Sequence, residues 1–125
     1  MPLLLDAPDY AFRVRHADGR SATVNDDILR APFALLPERM LGPWPVASAA
    51  DLDVAALAPL LEAGPALIVL GTGARQVFPP ARVLATCLQR GIGLEVMDNA
   101  AAARTYGILA GEGRRVLLAM LFDPD

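Results

Sequence analysis

Apolar residues follow two rhythms along this chain, a period of two near its start and alternating short apolar runs and helical spacings later. Tyr10 to Arg15 alternates apolar with charged residues, as a half-buried strand does, and Ala17-Asp18-Gly19-Arg20 supplies the Asp-Gly turn that tight hairpins favour. Ser21 to Asn25 then returns antiparallel. From Asp26 to Leu36, Ile28, Leu29, Phe33, Leu35 and Leu36 are interspersed with Pro32, which predicts a short helical turn followed by another strand. The prolines of Leu41 to Val46 cannot donate to a sheet ladder, so that stretch reads as a connection or an edge segment, with Trp44 packed there.

The later rhythm is clearer. Asp51 to Ala63 sets Leu52, Ala55, Ala56, Pro59 and Leu60 near helical spacing before a Gly64-Pro65 stop, giving a helix limited or kinked by Pro59. Ala66 to Leu70 is a continuous apolar run, the mark of a central strand covered on both faces, and it ends in the glycine turn Gly71-Thr72-Gly73. Pro79-Pro80 opens a helix from Ala81 to Arg90 with Leu84, Cys87 and Leu88 on its buried side. Ile92 to Met97 is the next strand, paired parallel through a right-handed crossover. Asp98 or Asn99 caps an alanine-rich helix from Ala100 to about Ala110, and Arg114 to Phe122 forms a long apolar strand before a polar tail, Asp123 to Asp125. The expected architecture is one α/β domain with an N-terminal β-hairpin and a β-α-β crossover.

Composition narrows the classes of function. With 125 residues, 54% apolar and 20% charged, the chain can bury a real core and is too short for two ordinary domains. The net charge is -3 and all 11 basic residues are arginine, without a basic run of the kind that tracks phosphates, so nucleic acid is not an expected partner. Missing lysine beside abundant Ala, Arg, Gly and Pro points to a genome rich in G and C and to a bacterial source. Cys87 stands alone, which rules out an intrachain disulfide and fits a reducing cytoplasm. Met1 to Asp6 lacks the basic and apolar regions of a signal peptide, and no apolar run approaches the roughly 20 residues that span a bilayer, so neither export nor membrane insertion is expected.

Candidate chemistry centres on the glycine turn. Gly71, Thr72 and Gly73 lie where a parallel strand hands over to a helix, and glycines there let backbone amides approach an anion. The turn lacks the third glycine of a dinucleotide fingerprint and the Gly-Lys-Ser/Thr of a phosphate-binding loop. Arg75 just beyond it could pair with a carboxylate or phosphate, and Asp98 follows the neighbouring strand toward the same crevice; ordinary loop exposure and helix capping are the simpler readings. Thr105 and Tyr106 offer two hydroxyls, and Glu112 with Arg114 an ion pair, all explained more cheaply by packing. His16, Ser21, Ser48 and Cys87 have no partners in the pattern that a metal site or a nucleophile needs, so no catalytic set, metal or cofactor is implied.

One constellation is more specific than its parts: Gly71-Thr72-Gly73, the prolines near position 80, Gly91-Ile92 with Glu95-Val96-Met97, Ala102 to Tyr106, and Glu112-Gly113-Arg114. Together these resemble the Mth938-like family of small domains, which includes mitochondrial NADH:ubiquinone oxidoreductase (complex I) assembly factor 3 and uncharacterised bacterial and archaeal relatives. The family's usual Thr-Tyr-Asn reads Thr105-Tyr106-Gly107 here. The resemblance implies a three-layer α/β fold with a central mixed sheet. It also implies a non-enzymatic accessory or interaction role, with respiratory-complex subunits or assembly proteins as partners. The alternatives are a small-molecule or anion-binding domain, or an enzyme, using the Gly71-Thr72-Gly73 crevice, or a homodimer formed through an apolar edge or the final strand.

Overall fold

The computed structural model describes residues 10–124. The N-terminal reading of Met1 to Asp6 lies outside the described residues. Eight strands and three α-helices follow in the order β1 Val14–Ala17, β2 Ala22–Val24, β3 Asp27–Leu29, β4 Phe33–Leu36, β5 Arg39–Pro43, α1 Val54–Glu62, β6 Leu67–Thr72, α2 Ala81–Gln89, β7 Gly93–Met97, α3 Asn99–Gly111 and β8 Val116–Leu121. Strands β1, β2 and β3 form an antiparallel meander, and the other five form a mixed sheet in the order β5-β4-β8-β6-β7. Within it β6 pairs parallel with both β7 and β8, while β4 pairs antiparallel with β8 and β5. The expected α/β fold with a hairpin, a β-α-β unit and a mixed central sheet is therefore present.

Period-two alternation divides the core. Ala34 and Leu36 of β4, Ile68 and Leu70 of β6, and Leu117, Ala119 and Leu121 of β8 face one way, against Leu57, Leu60 and Leu61 of α1 and Val83 and Cys87 of α2. Phe33 and Leu35, Val69, and Val116, Leu118 and Met120 face the other way, against Ala102, Ala103, Tyr106 and Ala110 of α3 and the inner residues of the hairpin. Three layers result, and β8, wholly buried along its six residues, is the middle strand. Each fully buried Leu or Ile here contributes roughly 1.5–3 kcal/mol by leaving water.

Two expectations are corrected. The helical turn near Asp26 is instead strand β3: Asn25, at φ 53, makes a tight turn with Asp26, and Val24 pairs with Asp27. Asn tolerates that left-handed backbone, and its side chain fastens the turn by accepting from the Arg13 amide and donating to the Ala11 carbonyl. Leu88 is 79% exposed, because α2 turns Val83 and Cys87 inward. Trp44 is buried as expected, its indole N–H donating to the Ala56 carbonyl at 2.9 Å.

Candidate functional site

The carboxyl ends of β6 and β8 point the same way, as do those of β6 and β7, and the segment after β6 sits among them. Gly71 and Thr72 are the last residues of β6, so only Gly73, at φ 102, makes the turn proper. Why glycine is needed at both positions is visible in what surrounds them. A Cβ on Gly71 would strike Asn99 Oδ1 and lie 3.2 Å from the Ala102 Cβ, and one on Gly73 would strike Asp123 Oδ1.

Asn99 is the hub of this junction. It opens α3 and is fully buried, yet every polar atom of its side chain is engaged. Oδ1 accepts from the Gly73 amide at 3.0 Å, and Nδ2 donates to the carbonyls of Leu121 at 2.8 Å and Asp18 at 2.9 Å. Its own backbone N–H donates to the Gly73 carbonyl. The next amide, that of Ala74, donates to the Asp123 carboxylate at 3.2 and 3.3 Å, while the Asp123 N–H donates to the Gly19 carbonyl. The Gly73 and Ala74 amides thus both donate to oxygens of the chain itself.

The remaining predicted residues fall into separate places. Thr72 is buried, its hydroxyl donating to the Arg75 carbonyl at 2.6 Å and accepting from the Val77 amide at 3.0 Å, which fastens the loop after the turn. Arg75 is exposed and shares with Thr72 a small depression of about 220 Å³. Asp98 is the N-cap of α3, accepting from the Ala101 amide at 2.9 Å. Thr105 and Tyr106 lie seven and eight residues further along that helix, about 10 Å or more away, and do not join the turn. The Tyr106 hydroxyl, fully buried, donates to the Phe12 carbonyl at 2.6 Å; burial, with Tyr10 and Glu38 nearby, pushes its pKa well above the usual phenol range. Glu112 and Arg114 do pair, at 3.8 Å on the surface.

Two other groups are shifted from their ordinary values. The Arg20 and Ser21 amides, with His16, hold the exposed Asp18 carboxyl below its ordinary value, and burial pushes the Cys87 thiol up. Among the described residues no three His, Cys, Asp or Glu side chains come together in a way that would hold a metal ion. No helix among them is long and apolar enough to cross a membrane.

Sequence reasoning missed three parts of this end of the molecule. Asn99 was legible only as a cap, because its partners at Asp18 and Leu121 are distant along the chain. Asp123 read as tail, although it closes the glycine turn. The larger feature is a cleft of about 700 Å³ beside the turn, with Arg20 and Arg30 on its rim and Pro32, Pro45, Phe122 and Pro124 among its walls. Its residues come from four separate segments, so no local pattern announces it.

A mixed five-stranded sheet covered by two helices on one face and by a helix and a three-stranded meander on the other, with a glycine junction closed by Asn99, defines a three-layer α/β domain. Residues 14–121 match the family described as a protein of unknown function (DUF498/DUF598), and the chain belongs to that family. The solution structure of a Xanthomonas campestris protein is similar at 55% identity and a TM-score of 0.84, covering 97% of this chain and 92% of that one. A Bordetella pertussis protein described as a Mth938-like domain is similar at 31% identity and a TM-score of 0.80, covering 100% and 94%. The NADH dehydrogenase [ubiquinone] 1 alpha subcomplex assembly factor 3 of Danio rerio is 36% identical over 107 residues, covering 84% of this chain. The chain spans 61% of that relative's length.

Proposed function

We propose that this chain is a non-enzymatic accessory and interaction domain, acting as complex I assembly factor 3 does, and that it engages respiratory-complex subunits or the proteins that assemble them. The 36% identity to that factor across most of the chain carries the reading. Fold alone would not, since one fold hosts many functions. The engaged amides at Gly73 and Ala74 fit the same reading, because they make the glycine turn a structural joint. A partner then meets the exposed residues around that joint, Arg75 among them, and the bacterial cytoplasm is the compartment in which it does so.

Affinity capture of the tagged full chain from its native cell, with brief cross-linking, tests this. Enrichment of complex I subunits or their assembly proteins over an unrelated tagged domain is the expected result. Recovery of copies of this chain alone would make it a homodimer without that role and would overturn the proposal.

A further inference from the structure

We infer that the cleft beside the glycine joint receives an acidic, apolar-studded peptide segment of a partner protein; this deepens, and rests on, the reading of the chain as an interaction domain. Two depressions, of about 700 and 220 Å³, lie at the carboxyl end of β8 and share the segment Phe122, Asp123 and Pro124 as part of their lining. Their charge runs against that of the molecule. The chain carries a net charge of -3, yet among the described residues the larger cleft is lined by Arg20 and Arg30, and the smaller depression beside it by Arg75, against the one carboxylate of Asp123 that both share. That carboxylate already accepts from the Ala74 amide. None of the three arginines forms an ion pair among the described residues, where the pairs involve Arg15, His16 and Arg114.

Arginine on a rim over apolar walls reads carboxylates by paired N–H donors and lets side chains between them pack below. The walls are held in advance. Pro32, Pro45 and Pro124 limit backbone freedom, and the buried Trp44 pins the segment that carries Pro45 through its bond to Ala56. Little ordering is then left for binding to impose on this side. The larger cleft is open to the surface, which suits an extended peptide better than a small molecule, since the latter is normally covered over most of its area.

The test is an amide chemical-shift titration of the full chain with a synthetic peptide alternating Asp or Glu with Leu and Phe. The same peptide with each acid replaced by its amide, and inorganic phosphate, are titrated beside it. Saturable shifts at Arg20, Arg30, Val46 and Phe122 are expected. Binding should weaken about ten-fold for the amide peptide and for the R20E/R30E double variant, as two lost charge contacts at a partly desolvated rim require. Both arginines are exposed, so the double variant keeps its fold. Absent shifts, shifts mapping elsewhere, equal binding of the amide peptide, or phosphate binding as well as the acidic peptide would each overturn the inference. Native-cell capture with wild type and R20E/R30E separates the two readings. Respiratory proteins recovered by wild type only support both; recovered by both, they leave the accessory role standing and remove the cleft from it; recovered by neither, they remove the accessory role while the titration decides the peptide site.

Discussion

Replacing Asn99 with Ala strips the glycine joint of its internal partner. The variant leaves the Gly73 amide without its acceptor and the Asp18 and Leu121 carbonyls without this donor. Three net hydrogen bonds at about 1 kcal/mol each, the side chain being fully buried, give a loss of about 3 kcal/mol. With a urea dependence of about 1.5 kcal/mol/M for a domain of this size, the unfolding midpoint should fall by about 2 M at unchanged slope. Asn99→Asp sharpens the test because it keeps the shape. One introduced oxygen still accepts from Gly73, while the other faces two carbonyl oxygens and has no proton to offer when ionised. Burial and those carbonyls raise the introduced group's folded pKa above its unfolded value. Its penalty is therefore greatest at neutral pH and shrinks as pH falls toward about 4. Urea melts of both variants at neutral and mildly acidic pH decide the matter: a loss under about 1 kcal/mol for Asn99→Ala, or a pH-independent penalty for Asn99→Asp, refutes the assignment of Asn99 as the joint's hub.

Three further outcomes follow from the same geometry. Gly71→Ala should cost about 2 kcal/mol in urea melts by forcing its methyl group against Asn99 and Ala102, whereas Gly107→Ala, mid-helix with nothing within 4 Å of the added carbon, should gain up to about 1 kcal/mol. Stability should fall as pH rises past about 10, since the raised folded pKa of Tyr106 leaves the unfolded chain to lose that proton first; Tyr106→Phe should flatten this slope while costing about 1 kcal/mol at neutral pH. With no lysine in the chain that alkaline limb is unusually free of other groups, Cys87 adding its own earlier decline for the same reason of sign. Asp98→Ala should cost about 1 kcal/mol, measured by thermal melting, through loss of the α3 cap.

Elements whose stabilising contacts are local or periodic were legible from residues alone. The apolar run at Ala66 to Leu70, the proline start of α2, the capped α3 and the final apolar strand all stand within a few residues of where they were expected. The three-layer arrangement came by resemblance. Strand β3 was hidden because its three residues lack a clear alternation and only the turn at Asn25 marks it. Leu88 was misplaced because helical spacing alone allows more than one inward face, and Val83 won the contest. At the glycine turn the residue types drew attention to the backbone amides, and the oxygens that two of those amides reach belong to Asn99 and Asp123, whose reach across the fold no spacing rule conveys.

The carboxylate that Asp123 lays on the Ala74 amide has the standing of a ligand that the chain supplies to itself. It stands two residues past the end of β8, which pairs with β6 just before that amide, so the folded sheet holds the carboxylate in place without any encounter in solution. The glycine joint is thereby closed from within, by an oxygen that arrives with the fold and leaves only when the end of β8 does.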